Sequence, residues 1–202
     1  MYYVLTGILL GSIGFSVADI ASQFEESRVA PDVVNKAPIE ELEVKYGEKK
    51  LKFGDELTPT QVKDMPDIDF KHEDSALYTL IMIDPDAPTR KAPIMREWQH
   101  WIVINIPGDD VSKGETLADY VGAGPPQGSG LHRYVILVFK QPGKLTVDEK
   151  HRKITDQTLR ERFSTKKFAA KYNLGEPVAG NLFLAQWDDY VPTLYRKLSG
   201  KD

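Results

Sequence analysis

Carboxylate, imidazole and indole side chains stand where the apolar segments of this chain begin or end. Asp84 and Asp86 follow the run 77–83, Trp98 and His100 lead into the run 101–106, and His132 precedes the run 134–139. A carboxylate beside an imidazole orients the ring and favours its protonated form. Imidazole and backbone N–H groups donate to oxyanions, so this set suits a small anion such as a phosphate monoester. A carboxylate next to phosphate is unfavourable unless it bonds through a histidine or a shared proton. Asp84 therefore reads as an orienting or proton-sharing group. Asp86 either faces an ammonium or ties down its own loop.

Those side chains need strands to hold them. The three runs are short, rich in Ile, Val, Tyr and Trp, and bounded by Pro or Gly, as expected of strands buried on both faces. Pro85 and Pro88 fix φ and cannot donate to a ladder, so the stretch 84–90 is a rigid turn at a strand end. If the first two strands pair antiparallel, Asp84 and His100 share one end of the sheet. For His132 to join them, the third strand must run parallel to the second. The segment 107–130 is long enough for that crossover, with a helical turn expected near residues 117–120. Glycines in the loop 122–130 would let backbone approach a ligand closely. Taken singly, a proline turn, a core tryptophan or a lone histidine is an ordinary structural feature. Their convergence on one edge makes a candidate cavity.

The remaining chain supplies a frame. With 202 residues it reads as one domain with an adequate core, and a net charge of −4 excludes a typical nucleic-acid binder. The locally basic stretches 144–153 and 160–171 read as solvated surface. There is no cysteine, hence no disulfide, thiolate metal site or cysteine nucleophile. Residues 1–18 carry no charged side chain, and Ser16-Val17-Ala18 places small residues before Asp19. That is the pattern of a secretory signal peptide followed by a domain over 19–202; the stretch is too interrupted for a convincing membrane span. An uncleaved anchor or a helix capping a cytoplasmic domain is the alternative. Residues 19–33 read as an amphipathic helix, 42–46 as a strand turning through 47–50 to a partner at 51–53, and 155–171 and 188–198 as helices. The architecture is mainly β: a large central mixed sheet packed on a smaller one, with peripheral and C-terminal helices.

Four motifs in chain order carry a resemblance: Asp84-Pro85-Asp86-Ala87-Pro88-Thr89-Arg90, Arg96-Glu97-Trp98-Gln99-His100-Trp101, Gly122-Ala123-Gly124-Pro125-Pro126 and Gly130-Leu131-His132-Arg133-Tyr134. Together they resemble the phosphatidylethanolamine-binding protein family, over the chain from about Val44 to its C-terminus. The resemblance implies that family's fold and a pocket for phosphorylethanolamine-like head groups. By motif matching it places Asp84, His100 and His132 in the pocket, with Trp98, Gly124, Pro125, Pro126 and Tyr134 at its wall and rim. The closing stretch 187–195 resembles the family's C-terminal helix and brings Tyr195 to the mouth. Gln99 stands where many members carry a second histidine.

Three functions compete. The first is non-enzymatic binding of a small phosphorylated ligand or phospholipid head group, without stable membrane insertion of the mature chain. The second is a secreted protease inhibitor or signalling modulator working through protein contacts. The third is an enzyme using Asp84, His100 and His132 with the nearby Ser129. The Gly-x-Ser-x-Gly elbow is absent around Ser129, and the dispersed His and Asp residues show no recognisable metal spacing. The reading is a binding protein with no catalytic residue, metal or cofactor. Charge-assisted bonds contribute only roughly 1.5–3 kcal/mol each, so head-group affinity alone should be on the order of micromolar to millimolar.

Overall fold

The computed structural model describes residues 17–201. Apart from Val17 and Ala18, which begin the first helix, the leader expected over residues 1–18 lies outside the described residues. Short strands come first: β1 (Glu40–Glu41), β2 (Glu43–Tyr46), β3 (Lys49–Lys50), β4 (Asp55–Glu56) and β5 (Asp67–Asp69). The long ones follow: β6 (Leu77–Asp84), β7 (Trp98–Pro107), β8 (Glu115–Ala118), β9 (His132–Lys140) and β10 (Ala179–Ala185). The three apolar runs are thus β6, β7 and β9.

The large sheet is seven-stranded, in the order β1-β10-β9-β6-β7-β8, with β4 also on β10. It is mixed, because β1 and β4 run parallel to β10 while the central pairs are antiparallel. Strand β6 separates β7 from β9, so those two run in the same direction without pairing. Apolar residues line both faces, as the continuous hydrophobic runs require. Leu80, Met82, Trp101, Val103, Tyr134 and Ile136 meet the small β3-β2-β5 sheet through Val44, Tyr46 and Phe70. Ile81, Ile83, Ile102, Ile104, Val135 and Leu137 meet Ile20, Phe24 and Phe168 on the helical side. Each such side chain, fully buried, contributes roughly 1.5–3 kcal/mol.

Four expected elements differ. Residues 19–33 form two helices, α1 (Val17–Glu26) and α2 (Val29–Asp32), because Arg28 adopts φ 61 between them. The break turns the Ser27 carbonyl toward the Arg133 guanidinium, 2.9 Å away. The hairpin closes earlier than expected: Tyr46 pairs with Lys49 and Lys45 with Lys50. Gly47 at φ 58 permits this two-residue turn. The crossover contains β8 where a helical turn was expected, since β7 offers an unpaired edge that residues 115–118 hydrogen-bond. Residues 155–171 form a 3-10 turn at Gln157–Arg160 and a helix α3 (Thr165–Lys171). Between them Phe163 exchanges backbone bonds of 3.0 Å with Glu97, which keeps that stretch extended. The C-terminal helix α4 (Val191–Leu198) begins after Asp188, whose carboxylate accepts the Tyr190 N–H at 3.0 Å.

Candidate functional site

Register brings the site together. Asp84 stands opposite Trp98, Ile83 opposite both Gln99 and Val135, and Ala185 opposite His132. The C-terminal end of β6 and the N-terminal ends of β7 and β9 therefore meet at one edge. His100 reaches this edge through an irregularity. Met82 pairs with Trp101 and Ile83 with Gln99, so His100 has no partner on β6. Such a bulge re-aims the side chains beside it. His100 turns to the face of Asp84 and Tyr134, its ring centroid 5.0 Å from that of Tyr134.

The polar atoms are mostly committed. His132 Nδ1 lies 2.7 Å from Asp84 Oδ2, and Asp84 Oδ1 accepts the Asp86 N–H at 2.7 Å. His132 Nε2 lies 3.0 Å from Ser129 Oγ. His100 Nδ1 lies 2.7 Å from the Val121 carbonyl, which only accepts. The neutral ring therefore carries its proton on Nδ1 and presents Nε2 as an acceptor. Burial pushes the His100 pKa down to about 3, opposed in part by the Val121 and Gly122 carbonyls. Burial pushes the Asp84 carboxyl above its ordinary value, opposed by the His132 bond. The Tyr134 hydroxyl accepts from Gly124 N at 3.3 Å, and its own proton has no acceptor among the described residues. Burial also places its pKa well above the ordinary phenol value. Tyr195 closes the rim by donating to the Gly124 carbonyl at 2.9 Å. Gly124 has no room for a side chain: a Cβ there would sit 2.7 Å from Leu194 Cδ2.

These groups floor a cavity of about 200 Å³. Of the expected residues, Asp84, Trp98, His100, Gly124, Pro126, His132, Tyr134 and Tyr195 line it. Asp86 and Pro125 do not. Asp86 is fully buried behind the floor, accepting from Arg133 Nε at 2.9 Å and Nη2 at 2.7 Å, so it faces a guanidinium of its own chain. Burial works against its charge, but Arg133 holds the carboxyl below its ordinary value. Pro125 is buried within the loop 122–130.

Further residues belong to the site. Met95, Val121, Leu194 and Leu198 make the walls apolar, and Glu161 adds a half-buried carboxylate with no hydrogen-bond or ion-pair partner among the described residues. The lining holds no lysine or arginine. Arg160, fully buried, binds the Gln99 and Asp119 carbonyls at 2.9 and 3.0 Å and lies 5.4 Å from the Trp98 ring centroid. It fixes the wall without entering the cavity. Gln99 points away, donating to the Leu159 and Arg160 carbonyls at 3.2 and 3.3 Å. Alternation along β9 is the signal that could have found Arg133, since the residue after an inward histidine faces the opposite side.

The phosphatidylethanolamine-binding protein family model matches residues 30–183. The Drosophila melanogaster protein "Putative odorant-binding protein A5" is 41% identical over 177 residues, 87% of this chain and 84% of that protein. The solution structure of CG7054 is 45% identical, with a TM-score of 0.69 over 84% of this chain and 97% of its own. A carboxypeptidase Y inhibitor, solved in complex with its cognate proteinase, is 25% identical with a TM-score of 0.73, over 88% of this chain and 98% of its own.

Proposed function

The chain belongs to the phosphatidylethanolamine-binding protein family, and on that premise we propose that its cavity binds, without catalysis, a small phosphorylated ligand or phospholipid head group that carries an ammonium. One arrangement carries this reading: an acceptor at His100 Nε2 and a donor at the Tyr134 hydroxyl on the floor, with unpartnered Glu161 on the wall. A singly protonated phosphate matches the floor, giving P–OH to His100 and accepting from Tyr134. Glu161 then faces the ammonium, and the apolar mouth of Met95, Leu194 and Leu198 receives the first carbons of an attached chain. A lining without lysine or arginine disfavours a phosphate dianion, whose second charge has no counter-ion here.

Phosphorylethanolamine has about eight heavy atoms, and binding energy per atom has a ceiling that orientation and desolvation costs reduce further. Tight binding needs the acyl chain as well. Isothermal titration with phosphorylethanolamine, and with vesicles containing phosphatidylethanolamine, tests the reading. Saturable binding that is lost in His100→Phe supports it; heat no greater than that of buffer at millimolar ligand overturns it.

A second reading, inhibition of a protease, is favoured by the likeness to the carboxypeptidase Y inhibitor. It predicts inhibition of a carboxypeptidase that survives His100→Phe. For location, the proposal is secretion of a domain over 19–202, supported by the sequence pattern of residues 1–18 and by the odorant-binding name of the Drosophila relative. Among the described residues no helix is long and apolar enough to cross a membrane.

A further inference from the structure

Ser129 lies on the loop that leads into β9, between Gly128 and Gly130, whose φ values are 79 and 80. Its hydroxyl oxygen is 2.7 Å from the Pro126 carbonyl and 3.0 Å from His132 Nε2. Ser129, His132 and Asp84 thus stand in the order of a serine nucleophile, its base and an orienting acid. The proton count argues against that use. A carbonyl oxygen accepts and never donates, so the shorter contact commits the single hydroxyl proton to Pro126. The Ser129 N–H reaches the same carbonyl at 3.1 Å, which anchors the residue twice. Ser129 is also absent from the cavity lining.

With its proton spent, Ser129 Oγ offers only a lone pair to His132, so Nε2 must carry a hydrogen. On the far side of the ring one proton then lies between Nδ1 and Asp84 Oδ2. Whether that proton sits on the ring or on the carboxyl, the two groups together carry no net charge. We infer that Ser129 is a positioning residue that fixes His132 as an Nε2–H donor and thereby holds the Asp84–His132 pair electrically neutral under the cavity. The groups facing the pair are Asp86 on the turn, His100 on β7, Tyr134 on β9 and Tyr195 on α4.

Neutrality decides what the floor accepts. Without the serine oxygen, Nε2 loses its acceptor and the ring is free to carry its only proton on Nδ1, donating to an ionised Asp84. The pair is then an anion directly beneath the incoming head group. Ser129 so acts as a specificity residue, keeping the floor permissive for a phosphate. This consequence rests on the head-group reading above, whereas the proton placement does not.

The test is the ¹⁵N spectrum of the His132 imidazole at neutral pH in the wild type, Ser129→Ala and Ser129→Thr. The wild type and the threonine variant should show a protonated Nε2, and the alanine variant a bare Nε2 with the proton on Nδ1. Phosphorylethanolamine affinity should fall well over tenfold in Ser129→Ala, since one unit charge about 4 Å away at an effective dielectric of about 20 is worth roughly a thousandfold, and recover in Ser129→Thr. A bare Nε2 in the wild type overturns the inference, as does a protonated Nε2 in Ser129→Ala. A wild type that shows protonated Nε2 but binds no head group would sink the proposed function and leave the proton placement standing.

Discussion

Asp84 and Asp86 leave one proline turn two residues apart, and their partners His132 and Arg133 are neighbours on β9. Both pairs are buried, yet they face opposite sides of the sheet and have opposite proton chemistry. Asp84 and His132 look into the cavity, and burial raises the carboxyl toward sharing a proton. Asp86 and Arg133 look toward α1 and α2, where the guanidinium also binds the Ser27 carbonyl at 2.9 Å and Asp32 at 3.3 Å. Arginine does not give up its proton, so this pair stays charged and acts as a clamp. Identical carboxylates on one turn therefore divide into a proton-bearing floor and a fixed strut. The division comes from the partner and not from the aspartate.

The largest effect should come from breaking the strut. Arg133→Met leaves Asp86 charged with only the Arg133 backbone N–H at 3.0 Å and the half-exposed Arg90 at 4.0 Å. The cost is up to about 3–5 kcal/mol, while pairing it with Asp86→Leu should recover most of that loss. Urea unfolding measures both; a single-variant loss below about 1 kcal/mol would mean that water already reaches the pair.

The pH dependence separates the two carboxylates. The raised Asp84 group makes the folded state hold its proton more tightly, so its contribution is present below the ordinary carboxylate value and fades as pH rises through the raised one. The lowered Asp86 group does the reverse: its contribution is present above the ordinary value and is lost as pH falls through the lowered one. Asp84→Asn should remove the first slope and Asp86→Asn the second, in stability curves taken from acid to neutral pH. Equal changes in both variants would erase the distinction between floor and strut.

His100 should add a further acid-side effect. Its pKa is lowered to about 3, so its contribution is full above the ordinary histidine value and is lost as pH falls toward 3. The slope is at most about 1.4 kcal/mol per pH unit for one proton. His100→Gln should flatten it, as read by thermal unfolding across that range. Glu161→Gln should change least: stability within about 0.5 kcal/mol, and a fewfold weaker affinity for phosphorylethanolamine with affinity for inorganic phosphate unchanged or improved. Equal loss for both ligands would remove the ammonium role of Glu161.

Much of this was legible in the chain. Runs such as 77–83 and 134–139 are apolar without alternation because both faces of β6 and β9 are buried, and that signal is local. The strand ends then place Asp84 and His132 on one edge. What stayed hidden depends on contacts between distant segments. The bulge at His100 has no periodic signature, and the helix breaks near Arg28 and Phe163 follow bonds to Arg133 and Glu97. The apolar mouth draws Met95 from the middle of the chain and Leu194 and Leu198 from near its C-terminus. For Asp86 the residue types leave two roles open, facing an ammonium or tying down the loop, and its bonds to Arg133 on β9 hold it behind the floor.

The most direct measurement is an amide-resolved NMR titration of the protein with phosphorylethanolamine. Binding at the floor predicts saturable shifts at Gly124, His132, Tyr134 and Glu161, and unmoved resonances at the Asp86 and Arg133 side of the turn. An absence of shifts up to millimolar ligand, or shifts centred on Arg133, would contradict it.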